Sequence, residues 1–285
     1  MNDTVLEARE LRFVYPGAPA PAVESMSFAV SRGEIFGFLG PSGAGKTTTQ
    51  RILVGLLEGF EGEALVLGRE RAAWGRELYD RIGVSFELPA AYQKLTAREN
   101  LLHFANLHEV PARDAGELLA SLRLEEAADL PVAGFSKGMR IRLNLAIALV
   151  HRPDVLFLDE PTGGLDPVTA RRVREIVLEE RERGATVFLT THDMTVADAL
   201  CDRVAFVVAG HITACDSPRT LKLASGRRQV HVEYRDETGR LKARTLPLDA
   251  SPELSELLAS RRIETIHSAE ASLDDVFVEV TGARL

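Results

Sequence analysis

The sequence predicts an α/β fold for most of its 285 residues, followed by a small α+β extension. Two observations carry this prediction. Between residues 155 and 208, short apolar runs alternate with amphipathic segments, as in a parallel sheet covered on both sides by helices. Earlier, a strand-like run at 34–39 breaks into a glycine-rich turn and continues as a helix-forming segment at 48–57. We therefore expect a sheet core with a functional loop at the end of one strand.

The composition limits the class of partner and compartment. The chain is 45% hydrophobic and 27% charged, and forty-two acidic against thirty-four basic residues give a net charge of -8. This balance argues against the basic footprint of a nucleic-acid binder, so we expect no nucleic-acid partner. Cys201 and Cys215 are the only cysteines, which favours a reduced, cytoplasmic setting over a disulfide framework or a thiolate metal site.

The apolar runs are too short to span a bilayer. The longest, at 143–150 and 204–209, fall far short of the ~20 residues that a transmembrane helix needs, and residues 1–4 do not resemble a signal peptide. If the protein serves a membrane process, we expect another chain to do the spanning.

The first forty residues predict antiparallel strands joined by a turn at 16–21. The apolar residues that alternate with polar ones are Leu11, Phe13, Tyr15, Met26, Phe28 and Val30. Tyr15 stands at the end of its strand, ahead of the glycine-rich turn. Spacing alone favours an ordinary core or edge aromatic at Tyr15, and the alternative is an aromatic plane that stacks on a base.

The glycine-rich turn matches the pattern G-x-x-x-x-G-K-[ST] from Gly40 to Thr47, which predicts a P-loop NTPase core. Glycines permit positive φ, so that successive N–H groups point at one anion, and Lys46 adds a full charge. The Thr47 hydroxyl is placed to ligate Mg²⁺. A glycine-rich turn that merely carries a lysine is the alternative, but this pattern is complete and lies between a strand and a helix. The predicted nucleotide-binding residues are Gly40, Pro41, Ser42, Gly43, Ala44, Gly45, Lys46, Thr47 and Thr48.

Downstream of this loop, the runs at 64–67 and 81–86 predict strands, and then the pattern changes. Residues 96–151 are almost entirely helical in period, with apolar residues spaced at i, i+3, i+4 and i+7. We interpret this stretch as a helical subdomain, at about 88–151, inserted into the α/β core.

The apolar run 155–158 predicts a strand that is buried on both faces, and two carboxylates follow it. Asp159 is a candidate ligand for Mg²⁺, which prefers hard oxygen atoms. Glu160 is a candidate to polarise the water that attacks the γ-phosphate. A solvated strand end is the alternative, and the presence of Lys46 in the same chain makes it less favoured.

The rest of the chain predicts a helix at 168–183, a strand at 186–190, a helix that ends at Cys201 and a strand at 204–208. The pattern then shifts, with alternation at 230–234 and helices at 252–260 and 273–280. We expect two domains, an ATP-binding domain at 1–224 and a small extension at 225–285.

The order of these motifs resembles the ATP-binding subunits of ABC transporters. The resemblance covers most of residues 1–220 and rests on Tyr15, 40–47, 135–139, 155–160, 164–166 and His192. It implies an ATPase that uses ATP and Mg²⁺, dimerises with a second copy of itself and drives separate transmembrane permease subunits. It also implies a cytoplasmic location, peripheral on the inner face of the plasma membrane.

The segment 135–139 looks like the signature of this family, whose usual form is Leu-Ser-Gly-Gly-Gln; only the serine and the second glycine are kept here. The resemblance implies that Ser136 and Gly138 touch the γ-phosphate of ATP bound to the other subunit. The expected contacts across the dimer are Ser136, Lys137, Gly138, Met139 and Asp166.

The same resemblance assigns roles to two aromatic residues. Tyr15 would stack on adenine, which reverses the preference drawn from spacing, and His192 would hydrogen-bond the γ-phosphate and hold the attacking water. The predicted catalytic residues are therefore Glu160, His192 and Lys46.

One position departs from the family pattern, because Glu87 stands where a glutamine is usual. Glu87 keeps an oxygen for the metal but loses the amide donor, and it adds negative charge near Glu160. The predicted metal ligands are Thr47, Asp159 and Glu87, and we expect hydrolysis that is slower or differently coupled.

The segment 271–277 resembles the tail of ABC-2-type exporter subunits, which implies an export system. Two alternatives are a non-transport ABC-type ATPase and a regulatory ATP switch. Second cassettes, long coiled coils and basic arms are typical of the non-transport class, and the sequence contains none of these features.

Overall fold

The computed structural model describes residues 3–87, 90–225, 229–236, 239–247, 251–260, 262–269 and 271–282. Contacts within the chain group it into two units, Met1–Cys215 and Asp216–Arg284. The predicted domain limits at residues 224 and 225 stay a prediction, and the predicted start of the helical subdomain at residue 88 lies outside the described residues.

The first unit contains ten strands and six α-helices among its described residues. The strands are β1 Thr4–Phe13, β2 Val23–Ser31, β3 Ile35–Leu39, β4 Glu61–Val66, β5 Arg69–Glu70, β6 Ile82–Ser85, β7 Val155–Asp159, β8 Thr186–Thr191, β9 Arg203–Val208 and β10 His211–Asp216. The helices are α1 Lys46–Leu53, α2 Ala97–Ala105, α3 Ala115–Ser121, α4 Lys137–Leu149, α5 Pro167–Glu182 and α6 Met194–Leu200.

A four-stranded sheet, in the order β2-β1-β4-β5, contains the predicted N-terminal strands. β1 pairs antiparallel with both β2 and β4, and Ala8 lies opposite Phe28 and Ala64. The antiparallel prediction is therefore confirmed. β1 ends at Phe13, so Tyr15 lies beyond the strand rather than in it.

A six-stranded sheet, in the order β10-β9-β3-β8-β7-β6, is the centre of the first unit. β3 pairs in parallel with β8 and β9, and β7 pairs in parallel with β8 and β6. Every residue of β3, β7 and β8 is buried, which confirms the prediction of strands covered on both faces. Because these strands run in one direction, their carboxyl ends meet at one edge of the sheet.

Two details of this sheet differ from the prediction. Strand β10, which follows β9 after Ala209 and Gly210, was not predicted because most of its side chains are exposed and it lacks an apolar run. Helix α1 begins at Lys46, directly after the left-handed N-cap Gly45 with φ of 106°, and it ends at Leu53, earlier than the predicted residue 57. The helix thus starts inside the glycine-rich turn.

The predicted helical segment forms three α-helices and two short 3-10 helices, and side chains cap the start of each α-helix. Thr96 makes a capping box with Glu99 on α2, while Asp114 and Ser136 accept backbone N–H groups at the starts of α3 and α4. The helical prediction is confirmed in kind, with breaks that the periodicity alone did not place.

The second unit is a small α+β structure, as predicted. Its elements are α7 Pro218–Ala224, β11 Gln229–Arg235, β12 Leu241–Pro247, α8 Pro252–Ser260, β13 Ile263–Ala269 and α9 Leu273–Thr281. The three strands form an antiparallel sheet in the order β12-β11-β13. Among its described residues, Val230, Val232, Leu246 and Leu254 form one small buried cluster, and Leu221, Leu273, Val276 and Phe277 are buried as well. In the described parts of both units, no helix has the length and apolar character needed to cross a membrane.

Candidate active site

The glycine-rich loop leaves the end of β3 and enters α1 through backbone conformations that require glycine. Gly43 and Gly45 have φ of 79° and 106°. A Cβ added at Gly45 would lie 2.3 Å from the Ala22 carbonyl oxygen, and one at Gly40 would lie 2.0 Å from the Val207 carbonyl oxygen. Neighbouring backbone therefore closes on the loop from two sides and holds its shape.

Lys46 lies in the first turn of α1 and is buried, with 8% of its surface exposed. Its Nζ donates to the Gly40 and Pro41 carbonyl oxygens, at 2.6 and 3.1 Å. Burial of the ammonium lowers the pKa of Lys46, and the nearby Glu160 and Asp159 carboxylates oppose that shift. The loop thus curls around a cation that its own carbonyl groups hold in place.

The next residue, Thr47, contacts the carboxylate at the end of β7. Its Oγ1 lies 3.2 Å from Asp159 Oδ2, and the Thr190 hydroxyl also donates to Asp159, at Oδ1. Thr190 lies directly opposite Asp159 in the pairing of β7 with β8. The parallel sheet therefore brings together the first two predicted metal ligands.

Glu160 lies immediately after β7 in a left-handed conformation, with φ of 48°. Such a conformation is strained for a residue with a side chain and often marks a functional position. The Thr191 hydroxyl donates to Glu160 Oε2 at 2.9 Å, and the His192 backbone N–H donates to Oε1 at 2.9 Å. These two bonds fix the direction of the carboxylate.

His192 joins the same cluster through its ring. Its Nδ1 lies 2.7 Å from Glu160 Oε1, and 63% of the side chain is exposed. Because Nδ1 faces the carboxylate, Nε2 is the ring atom that can meet a ligand from solvent. The structure thus brings the predicted catalytic pair, Glu160 and His192, into direct contact.

Tyr15 lies on the other side of the loop. Its hydroxyl is 3.2 Å from Thr48 Oγ1, and its ring packs edge-on against Phe13 with centroids 4.9 Å apart. The ring is only partly buried, so one face can still receive a flat ligand. The contacts of Tyr15 are therefore compatible both with an ordinary edge aromatic and with an aromatic plane that stacks on a base.

A cleft of about 280 Å³ joins these residues. Loop residues 42–48, Tyr15 and three carboxylates line it, namely Glu87, Asp159 and Glu160. Glu87 is exposed and follows β6, the strand next to β7. The three predicted metal ligands therefore face one cleft, together with Lys46.

A second cavity, of about 170 Å³, adjoins this cleft and shares Glu87, Asp159 and Glu160 with it. His192 and Lys137 also line the second cavity. Lys137 is the first residue of α4, so the start of that helix faces the same carboxylates as the loop.

The other predicted dimer contacts lie at exposed helix starts. Ser136 accepts from the Met139 N–H at 3.2 Å, and Asp166 accepts from the Val168 and Thr169 N–H groups at 3.1 and 3.0 Å. Hydrogen bonds from Thr169 lower the pKa of Asp166. Gly138 is partly exposed, and a Cβ added there would lie 3.2 Å from Leu165 Cδ2. Among the described residues that line the 280 Å³ cleft, neither Ser136 nor Asp166 occurs.

Sequence reasoning missed Thr190 and Thr191, which hold the two carboxylates. Their position in the sequence could have identified them, because they end a buried strand directly before His192. Their partners could not be named without the register of β7 against β8.

The oxygen atoms at Thr47 and Asp159 fit a magnesium ion. Both are hard ligands, they lie 3.2 Å apart, and Glu87 lines the same cleft. Mg²⁺ in phosphate sites usually takes one or two protein ligands, with phosphate oxygens and waters completing the shell.

Two protein-family models match parts of the chain. Residues 23–163 match the family model described as ABC transporter. Residues 228–270 match the model described as fluoroquinolone efflux ABC transporter C-terminal domain.

Individual relatives extend the match over nearly the whole chain. A fluoroquinolones export ATP-binding protein of Mycobacterium tuberculosis is 54% identical over 99% of this chain and 94% of its own length. A daunorubicin resistance ATP-binding protein of Streptomyces coeruleorubidus is 38% identical over 92% of this chain and 91% of its own. A solved ATP-binding subunit of an ABC transporter is 29% identical, covers 78% of this chain and 94% of its own, and superposes with a TM-score of 0.71.

Proposed function

The chain belongs to the family of ABC transporter ATP-binding subunits, and we propose that it hydrolyses ATP to power export through a separate membrane-spanning partner. The observation that carries this proposal is the meeting of Lys46, Asp159 and Glu160 at one edge of the parallel sheet. The chain supplies a phosphate cradle, an acidic metal ligand and a base within one cleft.

In this proposal the loop residues Gly40–Thr48 bind the triphosphate of ATP. Backbone N–H groups and the start of α1 face the phosphates, and the Lys46 ammonium neutralises part of their charge. Tyr15 stacks on the adenine ring with its partly exposed face. Ser42 and Gly43 are exposed, so a ligand can reach the backbone of the loop from solvent.

We propose that Thr47 and Asp159 hold Mg²⁺, with Glu87 as a further oxygen donor in the same cleft. The ion, when bound, would supply positive charge to the phosphates. The hydrogen bonds from Thr47 and Thr190 hold the Asp159 carboxylate in one orientation ready for it.

Hydrolysis then depends on Glu160 and His192. Glu160 accepts a proton from a water whose oxygen attacks the γ-phosphorus, the bond to the β-phosphate oxygen breaks, and ADP and phosphate leave. The contact between His192 Nδ1 and Glu160 keeps the ring in place, so that its other nitrogen can hydrogen-bond the γ-phosphate. This chemistry consists mainly of positioning and charge stabilisation.

A second copy of the chain would complete the site. Ser136, Lys137, Gly138, Met139 and Asp166 lie at helix starts, where serine hydroxyl and backbone N–H groups suit a phosphate bound to another chain. We propose that two copies close on ATP through these residues and separate after hydrolysis. The membrane-spanning subunits would hold the dimer at the inner face of the plasma membrane.

The cargo class follows from the relatives alone. The printed names of the M. tuberculosis and S. coeruleorubidus relatives refer to fluoroquinolones and daunorubicin, and the C-terminal family model refers to fluoroquinolone efflux. We therefore propose export of drugs, with fluoroquinolones as the first class to test, and the drug-binding site would lie on the membrane partner.

Reconstitution with the membrane partner tests this proposal. We expect the partner to raise the ATPase rate of the chain and ATP to drive drug accumulation in inverted vesicles. Lys46→Ala should abolish both activities. An ATPase with the same rate with and without any membrane partner, and without drug transport, would favour a regulatory switch or a non-transport ATPase.

A further inference from the structure

Two residues at which the sequence departs from the pattern of the resembling family carry opposite charges and line one cavity. Glu87 stands in place of the usual glutamine, and Lys137 in place of the first glycine of the signature. They lie 50 positions apart in the sequence (137 − 87), yet both line the cavity of about 170 Å³ beside the active cleft.

The charge of this cavity is mainly negative. Glu87, Asp159 and Glu160 line it together with His192, and Lys137 supplies an ammonium group. Thr47 and Thr190 donate to Asp159, and Thr191 donates to Glu160, whereas Glu87 is the exposed carboxylate of the three. A carboxylate in place of an amide at Glu87 therefore adds repulsion to a site that must also receive a triphosphate.

The position of Lys137 in its helix argues for an electrostatic role. Lys137 is the first residue of α4, and the first turn of that helix contains no acidic residue. A cation is unfavourable at a helix N-terminus because the helix dipole is positive there. Helix stability thus does not explain a lysine at this position, and the carboxylates that it faces do.

The Lys137 side chain also touches the turn that follows Glu160. A Cβ added at Gly164 would lie 3.3 Å from Lys137 Nζ, and Gly164 has φ of 73°. The ammonium therefore lies near the turn that leads from Glu160 to Asp166.

We propose that Lys137 is a positioning residue that acts within its own chain, where its ammonium offsets the extra negative charge of Glu87 during hydrolysis. This inference rests on the proposed ATPase function. It makes Glu87 and Lys137 an interdependent pair, so that each residue is tolerated because the other is present.

A double-mutant cycle on the complete chain tests the pairing. Lys137→Gln is expected to lower kcat for ATP about threefold to tenfold when Glu87 is present, and less than about twofold in the Glu87→Gln background. The difference should shrink as the salt concentration rises from about 50 to about 500 mM, because salt screens exposed charges. The matched control Lys94→Gln, which removes an exposed lysine, should have equal effects in both backgrounds.

Equal effects of Lys137→Gln in both backgrounds, at all salt concentrations, would overturn the proposal. A readout without hydrolysis separates this failure from failure of the proposed function. The ¹⁵N resonance of the Lys137 ammonium is expected to shift in the Glu87→Gln variant. It should remain unchanged in the Glu126→Gln variant, which alters an exposed carboxylate as a control. An unchanged resonance in Glu87→Gln would reject the pair, whether or not the chain hydrolyses ATP. A wild-type chain without Lys46-dependent hydrolysis that still gives the shift would reject only the ATPase proposal.

Discussion

The candidate active site has two halves, which differ in how far one chain completes them. The phosphate-loop half consists of the loop 40–48 with Asp159, Glu160 and His192, and the signature half consists of residues 136–139 with Asp166. In the phosphate-loop half, Lys46 and Asp159 are only 8% and 7% exposed, and neighbouring groups hold both side chains. In the signature half, Ser136 and Asp166 are exposed, and their side-chain oxygens accept N–H groups of their own helices. One half is preorganised by its own fold, while the other is a pair of capped helix starts that face solvent.

This difference indicates what places the side chains of each half. The fold itself positions Lys46, Asp159 and Glu160, because β3, β7 and β8 are buried and fixed in register. In the proposed function, the signature residues take part in catalysis only when a second copy of the chain meets them. Substitutions in the two halves should therefore differ in whether they alter chemistry or assembly.

The largest expected effect is at Glu160. Glu160→Gln should lower the ATPase rate by about 100-fold or more, because general-base catalysis contributes about that much. ATP binding should persist, and the ATP-bound dimer should accumulate. Steady-state hydrolysis and titration with a fluorescent ATP analogue measure the two effects.

Glu126→Gln, at an exposed carboxylate outside the site, serves as the control and should retain the wild-type rate. A Glu160→Gln protein that hydrolyses ATP at the normal rate would remove Glu160 from the base role.

A smaller effect is expected at Ser136, where the signature half can be compared with an ordinary helix cap. Ser136→Ala and Asp114→Ala both remove an N-cap, which costs about 1 kcal/mol of stability in each case. Only Ser136→Ala should lower hydrolysis, by about tenfold, through a lost hydrogen bond to phosphate. Urea unfolding and ATPase assays on both variants separate the two contributions. Equal losses of ATPase activity in the two variants would reduce Ser136 to a helix cap.

Thr191 should show the next effect, within the preorganised half. Thr191→Val removes the 2.9 Å hydrogen bond to Glu160 Oε2 and should lower kcat about threefold to tenfold, with little change in ATP affinity. Thr213→Val, at a threonine on β10, is the matched control. A variant that loses ATP affinity but keeps kcat would show that Thr191 supports nucleotide binding rather than the orientation of Glu160.

The smallest effect on hydrolysis is expected at His151, which lies in neither half. His151 is buried, stacks on His108 with ring centroids 3.8 Å apart, and lies 2.9 Å from the Ile82 carbonyl oxygen. Burial lowers the pKa of His151 to about 4, and the charge of His108 adds to the shift. Asp80 opposes the shift and Arg113 reinforces it.

Because the folded-state pKa of His151 lies below the unfolded value of about 6.5, the unfolded chain binds the proton first as the pH falls. His151 therefore favours folding above pH ~6.5, and that stability is lost progressively toward pH ~4, by about 2 kcal/mol at pH ~5. Urea unfolding of wild type and His151→Gln at pH ~7.5 and ~5 checks this, with the exposed His211→Gln as control. The same pH dependence in wild type and His151→Gln would contradict it.

The sequence predicted the preorganised half in more detail than the signature half, for a physical reason. The loop motif, the strand before it and the acidic pair after β7 are local patterns, and local patterns define the chemistry of Lys46 and Asp159. The roles of Thr190 and Thr191 depend on the register of two strands that are distant in sequence. Lys137 was placed with the dimer contacts, and its place in the same cavity as Glu87 follows only from the packing of α4.

Elements with exposed side chains were the least predictable. β10 lies at a sheet edge, and β13 has mostly exposed or partly exposed side chains between 263 and 267, so neither presents a clear apolar run. By contrast, α8 was predicted at its observed limits, Pro252–Ser260, because a proline at the helix start and an amphipathic pattern mark it locally.

Cross-linking between two distinguishable chains tests most directly whether the signature half serves a second copy. One chain carries Ser42→Cys, and the other carries Ser136→Cys and a larger tag. Both chains carry Glu160→Gln, and both carry Cys215→Ser, because Cys215 is exposed whereas Cys201 is buried. With ATP and a short thiol cross-linker, we predict a product that joins the two chains, and little product without ATP. Failure of ATP to promote the cross-link, while the same chains bind ATP, would contradict a site shared between two copies.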